Sequence, residues 1–539
     1  MNYFKVSKFF LYLVPLTVVI VTPSTLFPFI VGKYAFFRTT VSLALIFFLL
    51  GLLFQSPTRI NTDRKTDKHK HTQMNTDRKT DKHRYGIRVN PCSHPCISVF
   101  KQPLVIAVTL FVLIFLLACL FGVDPKWSFW SNFERGEGGL QILYLGVFFL
   151  LLAILFREEK DWQIIFWISI LAAVLVIFYG IAAHLKYIDA EMTTRIENGF
   201  EIKELTGRGG PWFQTFKNYI GPSFKDPGFR FAGSLGNPAY TASYFIFALF
   251  YAGYLLIKKT RINTDEKRIY TDKKSALIRQ NLYKSVLLLS IILFLVFFWL
   301  AATRGAFVGL LAAIIVGAFY FAFQYKKYRK PLIGLILIGL MAVGLMIYFR
   351  DTPFIKSLPG SRIFQITLSA ETWQHRTLMW QAAIKGWKER PIFGWGPENF
   401  IKIFDKHFPV KYFNPSAGFG AWFDRAHSIY FDYLAETGIL GLLSYLSIFA
   451  TFYWLILRHT RMNTDVNTDK HRLKNIRVNP FSHPRESVLN ALLFSLPIAY
   501  LIQGIVLFEI LPLYINLFLF LGFANYKLEN RNWLDESRK

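Results

Sequence analysis

Asp424-Arg425-Ala426-His427-Ser428 sets one imidazole beside two charges, at the mouth of an apolar run from Ile429 to Leu457 that is long enough to cross a bilayer. The residues ahead of it, Asn414-Pro415-Ser416-Ala417-Gly418, are polar and rich in turn formers. His427 is therefore expected at the N-terminal end of a transmembrane helix, where the helix dipole favours anions. A neutral imidazole there can handle a phosphate or take a proton near pH 7; a histidine satisfied within the structure is the other reading. Two arginines belong with it. Arg230 opens Arg230-Phe231-Ala232-Gly233-Ser234-Leu235-Gly236-Asn237-Pro238, whose glycines let backbone approach a ligand and whose Asn-Pro suits a helix start. Arg304 sits in Ala302-Thr303-Arg304-Gly305-Ala306, a tight hairpin between two apolar runs. A guanidinium in that place either snorkels to water or presents a fixed cation to a diphosphate.

A third cation lies in the segment before the histidine. Residues 369–389 read as a capped amphipathic helix with Trp373, Trp380, Ile384 and Trp387 near one face, suited to a membrane interface. Its Arg376 can reach a headgroup or a donor phosphate, or can lie solvated. The turn that follows, Pro391-Ile392-Phe393-Gly394-Trp395-Gly396-Pro397-Glu398-Asn399-Phe400, carries aromatic rings that suit either sugars or the interface.

These residues must be positioned by membrane helices. Of 539 residues, 53% are hydrophobic and only 18% charged, and apolar runs of about 20 residues recur. Twelve spans are expected, near 9–31, 36–54, 103–122, 139–156, 162–183, 238–257, 285–302, 305–323, 331–349, 429–457, 488–507 and 510–526. The first is too long for a cleaved signal peptide and has no small-residue cleavage site. Basic loops at Lys258-Lys259, Lys326-Lys327 and Arg458-His459-Thr460-Arg461 fall on one side, which the positive-inside rule makes cytoplasmic, as are both termini. Loops 184–237 and 350–428 are then outside, together with His427, Arg230 and Arg304. The chain is read as an all-α polytopic membrane protein.

Much of the net charge of +28 comes from a repeat. Thr58-Arg59-Ile60-Asn61-Thr62-Asp63 recurs at Thr260–Asp265 and, with Met462, at Thr460–Asp465. Segments 58–101, 258–285 and 458–486 carry +7, +6 and +4. They are polar and aromatic-poor, and read as disordered insertions in cytoplasmic loops, with a basic face toward anionic lipid as a by-product. Nucleic-acid binding is not supported, because no recognition fold or aromatic platform accompanies the charge. Cys92-Ser93-His94-Pro95-Cys96 is too tightly spaced for a common zinc pattern, and the later repeat copy has Phe481 and Arg485 where the cysteines would stand. The three cysteines give no disulfide framework.

Four places together resemble the O-antigen ligase and polymerase superfamily of bacterial membrane glycosyltransferases. They are Arg230 with Gly236-Asn237-Pro238; Thr303-Arg304-Gly305; Arg376 and Trp380 with Gly394-Trp395-Gly396 and Phe400; and His427-Ser428, nine residues, Gly438, two residues, Gly441. The last fits the ligase-type histidine motif in full. The resemblance runs from about residue 230 to 441. It implies a GT-C-like fold in the bacterial inner membrane with its site facing the periplasm. It also implies transfer of a glycan from an undecaprenyl diphosphate carrier, with no nucleotide sugar, cofactor or obligatory metal. The acceptor would be a lipid A core sugar, another carrier-linked glycan or a protein hydroxyl, so polymerase and protein O-oligosaccharyltransferase activities stand beside the ligase. By position, Arg230 and Arg304 would clamp the diphosphate and His427 would orient or deprotonate the acceptor hydroxyl. Arg376, Asn237, Trp380 and Arg425 would contact substrate. A transporter is the rival class for twelve spans, but transporters place ionisable groups near the bilayer midplane, often in repeated halves.

Overall fold

The computed structural model describes residues 2–54, 98–132, 135–184, 192–197, 200–205, 230–259, 273–324, 326–358, 360–365, 371–408, 423–472 and 484–536. Ten helices among them are long and apolar enough to cross a membrane, and a shorter apolar helix, Gly139–Leu155, joins them. In chain order the elements are α1 (Tyr3–Leu13), α2 (Val31–Phe54), α3 (Pro103–Phe121), α4 (Pro125–Trp130), α5 (Gly139–Leu155), α6 (Glu159–His184) and the hairpin β1 (Met192–Glu197) and β2 (Phe200–Leu205). There follow α7 (Pro238–Lys259), α8 (Lys273–Leu300), α9 (Arg304–Gln324), α10 (Lys326–Tyr348), α11 (Pro353–Ser357), α12 (Glu371–Glu389), α13 (Phe400–Lys406), α14 (Ile429–Arg472), α15 (Pro484–Gly504) and α16 (Leu511–Glu536). The protein is an all-α polytopic membrane protein, with a two-stranded antiparallel hairpin in the 184–237 loop.

Three expected spans differ in form. The segment 9–31 is no single helix. α1 passes at Pro15 into a 3-10 turn, Val14–Val19, and the chain then turns through residues 20–30. Proline lacks the N–H that would continue the α-helical ladder. The 429–457 span is interrupted at Gly438, whose φ of 68° and ψ of −170° lie outside any helix. α8 and α14 extend into the basic segments, to Lys273 and Arg472. The rest of those segments, the Cys92–Cys96 cluster and the turn formers 414–418 lie outside the described residues.

Packing follows from small residues. Gly305, Gly309, Ala313 and Gly317 recur every fourth position of α9, on one helical face. A Cβ at Gly309 would meet the Ala499 backbone and one at Gly317 the Ser495 hydroxyl, so α9 and α15 approach closely. Elsewhere aromatic rings fill the interior. Phe166 stacks on Tyr251 with centroids 4.7 Å apart, and Tyr433 on Tyr445 at 4.5 Å. α10 is the exception, with no buried residue in its apolar stretch. A second, smaller core gathers Met379, Ala383, Trp395, Phe400, Ile403 and Ala426. It joins α12 and α13 to the start of α14, and thereby holds the loop that carries the histidine.

Candidate active site

The interruption at Gly438 is built by the turn that precedes α13. Trp395 N–H donates to Ala435 O at 3.0 Å and Gly396 N–H to Glu436 O at 2.8 Å, while Ile439 N–H donates to Pro391 O at 2.8 Å. The freed peptide groups of the broken helix are thus satisfied by the Gly394-Trp395-Gly396 turn. Gly394 has φ 69°, and its absent Cβ would strike the Glu436 carbonyl group. The two glycine motifs are one joint. Its product is a short half-helix, residues 429–437, whose N-terminus presents His427.

Arg425, two residues earlier, anchors that half-helix. Its guanidinium is buried among three carboxylates, with Glu436 at 3.0 Å, Glu137 at 3.4 Å and Glu398 closer still. Those charges raise its pKa against the effect of burial. Arg425 is therefore a structural centre that ties three segments, and it does not line the main cavity. The same holds for Trp380. Its ring stacks on Phe431 at 5.0 Å and its Nε1–H donates to Ala426 O at 3.1 Å.

The main cavity has a volume of about 780 Å³ and lies where α7, α9 and α16 begin. It brings together five of the seven residues singled out from sequence: His427, Arg230, Arg304, Arg376 and Asn237. Arg230 is held to the 301–304 hairpin, with Nε donating to Ala301 O at 3.4 Å and Nη2 to Thr303 Oγ1 at 3.3 Å. Burial, then Arg362 and Arg304, lower its pKa to about 10. Arg304 donates from Nε to Arg362 O at 3.1 Å. Arg376 has its Nε buried without a hydrogen-bond partner among the described residues, and burial and Arg304 lower its pKa. Asn237 Oδ1 accepts from Ala239 N–H at 2.8 Å, at the start of α7.

His427 adopts a left-handed backbone, φ 55°. Its Nδ1 lies 3.2 Å from Arg425 O. A carbonyl only accepts, so Nδ1 carries the hydrogen and Nε2 keeps its lone pair. Burial, with Arg376 and Arg135 nearby, lowers the imidazole pKa below its ordinary value against the pull of Asp424. The ring meets the edges of Phe508 and Phe423 at 5.0 and 5.5 Å.

Sequence reasoning missed Lys33, Arg135, Arg362 and Glu137 on the same wall. Lys33 is 2% exposed and donates from Nζ to Ile20 O at 2.7 Å and Ser234 O at 2.8 Å. Arg135 is bidentate to Asp424, at 2.8 and 3.1 Å. The cavity wall thus carries six Lys or Arg residues and one carboxylate, Glu137. Burial pushes that carboxyl up to about 8. For Lys33 a sequence signal was available, since a lysine at a span start that the basic loops place on the expected outer side runs against the positive-inside rule. The described residues include no group of three or more His, Cys, Asp or Glu placed to hold a metal ion.

Residues 288–446 match the family model described as O-antigen ligase. Over that segment the chain is similar to the O-antigen ligase family. The match takes in Arg304, Arg376 and His427; Arg230 and Lys33 come to the same cavity from outside it. No curated protein matches the chain. The match, with ten helices long and apolar enough to cross a membrane among the described residues, supports a role in glycan transfer at a membrane in polysaccharide biosynthesis.

Proposed function

We propose that the chain transfers a glycan from an undecaprenyl diphosphate carrier to an acceptor hydroxyl, on the outer face of the bacterial inner membrane. The observation that carries this reading is the imbalance of the cavity wall, six cations against one carboxylate beside a neutral imidazole. Among the described residues Arg230, Arg304 and Arg376 have carbonyl or hydroxyl partners or none, and no carboxylate. Cations left unpaired at a half-buried wall are costly unless an anion joins them. Apolar residues on the same wall, among them Val308, Ile502 and Val506, suit a ligand that is part lipid.

In the reaction His427 Nε2 takes the proton of the acceptor hydroxyl as its oxygen bonds to the anomeric carbon. The bond from that carbon to the diphosphate oxygen breaks, and the electron pair leaves with the carrier diphosphate. Arg230 and Arg304 offset the charge that develops there. Arg376 contacts the donor or the acceptor close to His427. These roles ask for no metal in the step.

The test is transfer of a labelled glycan from undecaprenyl diphosphate by the full chain in reconstituted membranes. Lipid A core, a second carrier-linked glycan and a protein are offered as acceptors. Native protein is expected to consume the donor, with Arg230→Ala, Arg304→Ala and His427→Ala each slower by on the order of 10²-fold or more. The acceptor used assigns ligase, polymerase or protein transferase. Untouched donor with all three acceptors contradicts the reading.

A further inference from the structure

A left-handed backbone at a residue with a side chain persists only where its surroundings enforce it. At His427 the residue before it is gripped on both of its peptide groups. Ala426 N–H donates to Asp432 Oδ1 at 2.6 Å, and Ala426 O accepts from Trp380 Nε1 at 3.1 Å. Asp432 is 7% exposed and sits in the first turn of the half-helix, its own N–H donating to Ser428 O at 2.9 Å. Such a buried carboxyl has to be held in turn. Its second oxygen, Oδ2, has no hydrogen-bond partner among the described residues, and neither has Glu509 Oε2. Both residues line a second cavity of about 30 Å³, room for one water. Glu509 follows Phe508, the ring that meets the imidazole at 5.0 Å.

We propose that Asp432 is the positioning residue for the transfer: through Ala426 N–H it fixes His427, and one buried water shared with Glu509 fixes Asp432. The water joins the half-helix to the segment between α15 and α16, so the imidazole is located from both flanks. This rests on His427 acting in glycan transfer. Asp432 itself does not line the main cavity, so its effect falls on the orientation of the ring and leaves the donor site intact.

The experiment compares full-length native protein with Asp432→Ala, Asp432→Asn and Trp380→Phe, measuring kcat for transfer and, separately, binding of glycan-free undecaprenyl diphosphate. Asp432→Ala is expected to lose on the order of 10-fold to 10²-fold in kcat, the scale of a misplaced catalytic group, with carrier binding unchanged. Asp432→Asn keeps an oxygen for Ala426 N–H and is expected to recover most of that loss. Trp380→Phe keeps the stack on Phe431 and loses only the bond to Ala426 O, so it should lower kcat in the same way and to a smaller extent. Native kcat in Asp432→Ala overturns the inference alone. So does carrier binding that falls in step with turnover, or an Asn variant no better than Ala. Should Asp432→Ala fail to fold, Trp380→Phe decides by the same split. Absence of transfer by the native protein is a separate outcome, which removes the reading beneath and the inference with it.

Discussion

At the residue scale the site depends on which nitrogen of His427 is free and on when it is charged. Nδ1–H is committed to the Arg425 carbonyl, which leaves Nε2 toward chemistry. Burial disfavours the imidazolium and lowers the pKa from its usual 6.5. If His427 acts as the proposed base, the neutral form is the active one, so activity is present above the lowered pKa and is lost as pH falls through it. The expected profile of kcat/KM has an acid limb whose midpoint lies below 6.5, the ordinary histidine value. A midpoint above that value contradicts the assigned role. His427, Arg230 and Arg304, which line one cavity, could be singled out as candidates in the sequence because each stands where an apolar run meets polar residues. Arg425 was legible as a charge but not in its role. Its three carboxylates come from residues 137, 398 and 436, and only the fold brings them together.

At the element scale the decisive feature is the joint between the 391–396 turn and the interrupted helix α14. Hydropathy reads 429–457 as one continuous span because Gly438 lies inside an apolar window. The interruption is a tertiary effect: peptide groups of the turn replace those the helix gives up. The glycine spacing of the histidine motif was visible without its reason. Gly438 needs a backbone conformation essentially confined to glycine, and a Cβ there would also run into the Ile392 carbonyl. Gly438→Ala is therefore expected to destabilise the protein by at least about 1–3 kcal/mol from the backbone alone. Thermal unfolding in detergent measures it, and an unchanged midpoint contradicts the joint. The α9–α15 contact was legible in principle. Small residues at 305, 309, 313 and 317 form a stripe that hydropathy alone does not register.

At the scale of the whole molecule, three separate helix starts and two loops converge on one end of the bundle. The helical class and the order of the apolar runs followed from composition, since long apolar runs have few alternatives in a bilayer, but the count did not: twelve spans were expected, and ten helices among the described residues are long and apolar enough. The cavity did not, because Lys33 and Arg135 are far from His427 in sequence and join it only through packing. A transporter would hold its charges at mid-bilayer. Here the cations collect where helices begin, which suits a lipid-borne anion entering from the membrane edge. In the proposed function labour is divided across this cavity, with arginines for the carrier and histidine for the proton. The measurement that tests it most directly is binding of undecaprenyl diphosphate alongside glycan transfer, in His427→Ala and Arg304→Ala. On the proposed function His427→Ala is expected to bind the carrier as the native protein does and not to transfer, while Arg304→Ala loses binding. Loss of carrier binding in His427→Ala, or native binding in Arg304→Ala, would contradict it.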